Sequence, residues 1–215
     1  MREAAGLVYI VDDDTSVRRA LTRLVQSSGY LVEAYGCARD FTAHAGVPCT
    51  PACVVLDVQL PDITGLELQS GLDPRLPIIF LTGHGDIAMT VSAIKAGATD
   101  FLTKPVQDVT LLLAIGQALK RSAELANEMG ELDELRSRAM NLTSREREVM
   151  DLVVLGRLNK EIAYKLGTGE STVKAHRAKV MRKMGVSSVV DLVRVADKIA
   201  ASLVRDARGK PLGRR

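Results

Sequence analysis

Residues 52–62 read Ala-Cys-Val-Val-Leu-Asp-Val-Gln-Leu-Pro-Asp. The apolar, β-branched run ends on a carboxylate, Asp57, and has the length and make-up of a buried parallel strand. Leu60-Pro61-Asp62 and Thr64-Gly65 then turn the chain. Asp57 is therefore expected at the carboxyl end of a central strand, facing the kind of crevice in which open α/β sheets bind ligands. An isolated strand-end Asp more often caps the next loop, so its partners decide the reading.

Outward from this run, strand-like and helix-like segments alternate. Residues 7–11, Leu-Val-Tyr-Ile-Val, form a buried-strand run that ends in Asp12-Asp13-Asp14. Asp14 or Thr15 can cap a helix over 15–28, with Val17, Leu21, Leu24 and Val25 on one face and Gly29 as its stop. Further strands are expected at 31–35, 77–82 and 99–102. Further helices are expected at 38–45, from Gly65, at 87–96 and from near Val106. Such alternation means a doubly wound, five-stranded parallel sheet with right-handed crossovers.

The strand ends collect a reactive set. The first ends in Asp12-Asp13, the third in Asp57, the fourth in Thr82-Gly83 and the fifth in Lys104-Pro105. Three carboxylates brought together would repel and raise one another's pKa. A hard divalent cation, Mg2+ or Mn2+, resolves this, since Mg2+ takes one or two carboxylates together with waters and phosphate oxygens. The cation and Lys104 could neutralise a phosphoryl group arriving at Asp57, and Thr82 could donate to one of its oxygens. An Asp carboxylate is a known nucleophile for phosphoryl transfer. Singly, each residue is a capping Asp, a surface Lys or a strand-end Thr; together, in this order, they are a specific constellation.

Over residues 7–120 the chain resembles the receiver domain of two-component response regulators, whose fold is flavodoxin-like. Asp12 and Asp13 match its acidic pair, Asp57 its phosphoacceptor, and Thr82, Lys104 and the aromatic Phe101 its switch positions. The resemblance implies Asp13 in direct contact with the metal, the backbone carbonyl of Gln59 as a further ligand, and a cis Lys104-Pro105 bond. It implies a sensor histidine kinase as phosphoryl donor, and no enzymatic activity beyond the protein's own phosphorylation and dephosphorylation. Thr82-Gly83-His84-Gly85-Asp86 and Lys95-Ala96-Gly97-Ala98 resemble the FixJ branch in particular. Gly71-Leu72-Asp73-Pro74 departs from the family by being shorter, which touches the third helix and not the chemistry. His84 and Gln59 flank the expected phosphoryl site, where tuning of phosphate lifetime stands as an alternative to the better-supported reading as solvated loop residues.

Charge divides the chain. Residues 1–120 carry 9 Lys and Arg against 13 Asp and Glu, residues 121–141 carry 3 against 5, and residues 142–215 carry 17 against 8. The overall +3 thus hides a final segment of +9 that is suited to a polyanion. Four Tyr, three Phe and no Trp leave little for stacking single-stranded bases. No apolar run approaches the roughly 20 residues of a membrane span, and residues 1–5 lack a signal-peptide core, so a cytoplasmic protein is expected. Cys37, Cys49 and Cys53 have no metal-ligand spacing and read as reduced structural residues. The expected division is a receiver over 1–120, a helical linker over 121–141, and a DNA-binding domain with a basic tail over 142–215.

Ser122, Leu125, Met129 and Leu132 continue the apolar stripe of the preceding helix at heptad-like spacing. Gly130 interrupts it at a cost of roughly 1 kcal/mol. Either one long helix or a frayed, charged connector fits this pattern. Beyond it, Thr143 with Glu146, or Ser144 with Arg147 and Glu148 nearby, predicts a capped helix, Asn159 a cap for a short helix over 160–166, and Gly167 a stop before a basic helix over 171–184. That order is a helix-turn-helix. At about 100° per residue, Val173, His176, Val180 and Met184 share one face of the basic helix, the core side. Ser171, Lys174, Ala175, Ala178 and Arg182 share the other, flanked by Thr172 and Lys179. Small residues let such a helix approach a groove floor, and an Ala methyl can meet a thymine methyl.

Residues 142–200 resemble the LuxR-type helix-turn-helix, through Leu142–Glu148, Asn159-Lys160-Glu161-Ile162-Ala163, Thr172-Val173-Lys174-Ala175-His176 and Lys183-Met184-Gly185-Val186. Thr168-Gly169 departs from it, since Gly offers no side-chain acceptor as a cap. The implied function is that of a FixJ/NarL-type response regulator whose phosphorylation controls sequence-specific binding to promoter DNA. Lys160 joins the DNA-contacting set, and the resemblance implies dimer contact through the last helix. A homodimer formed on phosphorylation is expected through the helix of residues 86–97 and the fifth strand, with residues 122–132 as a second contact. RNA polymerase is a further candidate partner. An aspartate-nucleophile phosphatase of the haloacid-dehalogenase kind is the enzymatic rival, because Asp12-Asp13-Asp14 offers a D-x-D pattern. It would need a second acidic pair after its lysine, where this chain turns helical. An RNA target is disfavoured by the helix-turn-helix order and the few aromatics.

Overall fold

The computed structural model describes residues 6–45, 51–73, 75–83, 91, 93–95 and 97–209, with the backbone alone for 204–209. The chain divides into two compact units, Met1–Asn127 and Glu128–Arg215. His84, Cys49, Pro74, most of the expected helix at 87–96 and tail residues 210–215 lie outside the described residues.

The first unit is built on strands β1 (Leu7–Val11), β2 (Leu31–Tyr35), β3 (Ala52–Asp57), β4 (Ile78–Thr82) and β5 (Asp100–Thr103). All are parallel, in the order β2-β1-β3-β4-β5. Helices α1 (Thr15–Ser27), α2 (Ala38–His44), α3 (Gly65–Gln69) and the first part of α4 (Asp108–Met140) cover it. Residues 91 and 93–95 are helical as well. Successive strand residues point to opposite faces. Tyr9, Val11, Val54, Leu56, Ile78 and Phe80 pack with Phe41 of α2 and Leu68 of α3. Val8, Ile10, Cys53, Val55, Ile79 and Leu81 pack with Leu21 and Val25 of α1 and with Leu111, Ile115 and Leu119 of α4. Burial of both faces explains why β3 is apolar from Ala52 to Leu56 rather than alternating. Each fully buried Leu, Ile or Val contributes about 1.5–3 kcal/mol.

Local chemistry sets the element ends. The Asp14 carboxylate accepts the Ser16 and Val17 N–H groups and starts α1. Thr64 and Glu67 form a capping box at α3. Asp62 reaches across the sequence to accept the Ala38 and Arg39 N–H groups at the start of α2, where Cys37 gives no side-chain cap. Cys37 and Cys53 are free thiols, and burial pushes Cys53 up to about 12.

Helix α4 is continuous past Gly130, so the chain follows the long-helix reading and not the frayed connector. Ser122 differs from the expected heptad seam. It is buried, and its hydroxyl accepts the Ala52 N–H at 3.1 Å and donates to the Arg75 carbonyl at 3.1 Å.

The second unit contains the end of α4 and helices α5 (Ser144–Val154), α6 (Asn159–Leu166), α7 (Glu170–Met184) and α8 (Val189–Gly209). Leu142, Val149, Leu152, Val153, Ile162, Val173, Val180, Met184 and Leu192 form its core. The capping box of Thr143 and Glu146 is present. The expected Asn159 cap is not: Leu158 holds that position, its N–H donating to Glu161, and Asn159 instead accepts from Arg177 at 2.7 Å. Gly167 stops α6 in the left-handed region at φ 61°. Gly169 precedes α7 without a side-chain cap, as its lack of an acceptor requires. Among the described residues no helix is long and apolar enough to cross a membrane.

Candidate functional site

Parallel register brings the strand ends to one edge. Val11 pairs with Leu56, Asp57 with Leu81, and Thr82 with Thr103. The ladder runs one residue further, through Val58 N–H to the Leu81 carbonyl at 3.0 Å and Lys104 N–H to the Thr82 carbonyl at 2.7 Å. Asp12, Asp57, Thr82 and Lys104 therefore leave the sheet together. Asp12, Asp57 and Thr82 are buried, with 1%, 7% and 3% exposure, so any charge there must be compensated by neighbours.

Lys104 supplies part of that compensation. Its Nζ lies 2.6 Å from Asp12 Oδ2 and 2.6 Å from Asp57 Oδ2. The free oxygens accept main-chain donors: Asp14 N–H to Asp12 Oδ1 at 2.9 Å, and Gln59 N–H to Asp57 Oδ1 at 3.0 Å. Burial pushes the Asp12 carboxyl up from its ordinary value; Lys104 pulls against this and the Asp57 charge adds to it. On Lys104, burial favours the neutral amine, but the bonds to Asp12 and Asp57 outweigh it and the pKa is raised. Lys104 thus stays an ammonium.

Asp13 completes the acidic set. Ligand atoms from Asp12, Asp13 and Asp57 all lie within 4.8 Å of one another. Three carboxylates against one ammonium leave a deficit of positive charge, and the donors are all hard oxygens. This donor set fits a hard divalent cation. Gln59, expected to add its carbonyl, is exposed beside Asp57 and bridged to Thr64. Phe101 is half-buried, its ring 6.0 Å from that of Phe80. The Lys104-Pro105 bond is cis, as the resemblance implied.

Two residues here escaped the sequence reading. Gly65 opens α3 against the acceptor strand: a Cβ on it would lie 2.5 Å from the Asp57 carbonyl oxygen and 3.1 Å from the Phe80 ring. Its place between a turn and a helix was the only signal, and it pointed to the turn. Nothing in the sequence pattern singles out Arg18 of α1. Its guanidinium reaches back to the acidic loop, donating to the Asp12 carbonyl at 2.6 Å and the Asp13 carbonyl at 3.2 Å.

On the second unit, Ser171, Thr172, Lys174, Ala175, Ala178, Lys179 and Arg182 of α7 are exposed, as is Lys160 of α6. Val173, Val180 and Met184 are buried on the opposite side. His176 is half-buried with its Nδ1 enclosed, in keeping with a core role. The other two cations of α7 face inward: Arg177 bonds Asn159, and Lys183 bonds Glu146 at 2.6 Å and the Asn141 carbonyl at 3.1 Å. The exposed face of α7 therefore carries Lys174, Lys179 and Arg182.

Residues 8–116 match the family described as response regulator receiver domain, and residues 140–196 match the bacterial regulatory proteins of the luxR family. The chain belongs to the response regulator family. It is 44% identical over 207 residues to response regulator protein TmoT of Ectopseudomonas mendocina, covering 94% of this chain and 93% of that one. It is 43% identical over 192 residues to transcriptional regulatory protein FixJ of Azorhizobium caulinodans, covering 88% and 90%. Among solved structures, response regulator StyR superposes with a TM-score of 0.76 at 43% identity, over 91% of this chain and all of that one. This response regulator thus joins a receiver domain to a LuxR-type DNA-binding domain, and its relatives are transcriptional response regulators. The two domains imply a sensor kinase and DNA as partners.

Proposed function

We propose that Asp57 accepts a phosphoryl group from the sensor histidine kinase, and that this modification controls sequence-specific binding of the second unit to promoter DNA. The observation that carries the reading is the Lys104 ammonium shared at 2.6 Å between Asp12 and Asp57, with Asp13 alongside. In the transfer an Asp57 oxygen bonds to phosphorus while the bond from phosphorus to the kinase imidazole breaks, the imidazole nitrogen keeping the electron pair. Lys104 then faces an oxygen of the new acyl phosphate, and Thr82 stands at the end of the adjoining strand to take another.

Asp12, Asp13, Asp57 and the Gln59 carbonyl would hold Mg2+, or Mn2+ in its place. When bound, the ion neutralises charge on the phosphoryl oxygens in transfer. The protein promotes only its own phosphorylation and dephosphorylation and is not otherwise an enzyme. Phosphate on Asp57 moves Thr82 and Phe101, which favours a homodimer. On DNA, Lys160, Ser171, Thr172, Lys174, Ala175, Ala178, Lys179 and Arg182 meet the duplex, with Lys and Arg on phosphates and the small residues near base edges. One α7 covers a single half-site, so a dimer spaced by a helical turn or its multiple suits tight binding. RNA polymerase is the further partner of a promoter-bound regulator, and the working compartment is the cytoplasm.

Genomic footprinting with and without a phosphodonor tests the reading. Discrete protected sites should appear with the donor and vanish in Asp57→Ala. Equal protection in both proteins would reject it.

A further inference from the structure

We infer that Arg18 is a positioning residue for the metal, fixing the main chain of the acidic loop so that the Asp13 carboxylate is held beside Asp12 and Asp57. This rests on the reading of the site as a divalent-cation centre given above.

The three carboxylates are anchored unequally. Asp12 is held through Lys104 and the Asp14 N–H, and Asp57 through Lys104 and the Gln59 N–H. The Asp13 side chain is exposed, and among the described residues nothing bonds to it. Its place in the cluster is therefore set by its backbone. Arg18 is what grips that backbone. One nitrogen, Nη1, donates to the carbonyls of two successive residues, Asp12 at 2.6 Å and Asp13 at 3.2 Å, and Nη2 bonds Thr15 Oγ1 at 3.2 Å. A guanidinium is a planar fork of fixed donor directions, so it restrains the peptide planes that it bridges. The fork lies beside the β2–α2 turn, where a methyl on Gly36 would meet Nη1 at 3.5 Å.

Charge alone predicts the reverse of this role. A fixed cation near a metal site repels a dication, so deleting an uninvolved arginine would tighten metal binding. Deleting a positioning arginine loosens it, because Asp13 loses its fixed placement. The sign of the change separates the two.

The test uses the full chain and counts free Mn2+ by electron paramagnetic resonance, with Mg2+ competition, for wild type, Arg18→Ala, Arg18→Lys and Asp13→Asn. Melting temperatures of the metal-free proteins are measured alongside. Loss of an outer partner of a metal ligand typically weakens binding roughly 10–100-fold. Arg18→Ala should fall in that range at a nearly unchanged melting temperature, and Arg18→Lys should lie between it and wild type, since one ammonium cannot restrain both carbonyls. Asp13→Asn should lose the site. If Asp13→Asn binds as wild type does, the cation reading itself is wrong. If Asp13→Asn loses the ion while both Arg18 variants bind it equally well or more tightly, the positioning role is overturned and the cation site stands. A fall in affinity that follows the melting temperature step for step also overturns it, making Arg18 a structural prop.

Discussion

At the carboxyl edge of the sheet one ammonium serves two buried carboxylates, Lys104 lying 2.6 Å from both Asp12 and Asp57. On α7 three cations, Lys174, Lys179 and Arg182, are exposed. Lys174→Ala should weaken operator binding and make it less salt-dependent, with little change in melting temperature, because it removes one phosphate contact. Val180→Ala, by contrast, should cost about 1–4 kcal/mol of stability. Titrations at several salt concentrations, run beside thermal melts, check both; operator binding unchanged in Lys174→Ala at physiological salt would refute the assigned face. The residues of both sites were legible because their chemistry is stated by residue type and by position at a strand end or on a helix face. Gly65 and Arg18 were not, because what they do arises from approach in space: a missing side chain against the Asp57 carbonyl, and donors folded back onto residues 12 and 13.

Among the elements, α5 shows how a local signal takes on a tertiary role. The Thr143–Glu146 capping box is readable from sequence, but Glu146 is also buried and accepts from Lys183 of α7 at 2.6 Å. The Lys183 bond first, and then the Thr143 N–H, hold its carboxyl down at about 2, against an ordinary value of 4.5. A folded-state pKa below the unfolded one gives stability that is full above about pH 4.5 and lost as pH falls toward 2. The melting-temperature gap between wild type and Glu146→Gln should therefore shrink as pH is lowered from about 5 to about 2. A gap constant over that window would show that the pair contributes nothing through ionisation. In α4 the sequence pattern pointed to a heptad seam, yet Ser122 spends its hydroxyl on Ala52 and Arg75. Those partners lie far away in sequence, where periodicity carries no information. Gly130 was readable as a weakness but not as a break, because a cost of roughly 1 kcal/mol is small beside the bonds of a long helix.

For the whole molecule, the split of charge between an acidic first part and a final segment of +9 matches a division of labour between receiving a signal and holding DNA. The regulator is expected to work by shifting a monomer–dimer balance, since linking two half-site binders raises effective concentration without any new base contact. A change of a few kcal/mol suffices to alter occupancy decisively. Sedimentation with a beryllofluoride phosphate mimic should show a dimer forming in step with tighter DNA binding. Tighter binding by a protein that stays monomeric even on DNA would refute the dimer mechanism.

The central claim is that Asp57, assisted by a divalent cation, takes the phosphoryl group. Its most direct test is the intact mass of the full chain after incubation with acetyl phosphate and Mg2+. The account predicts a gain of one phosphoryl group in wild type, and no gain in Asp57→Ala or in EDTA. A phosphoryl adduct that persists in Asp57→Ala, or forms at the usual rate in EDTA, would contradict it.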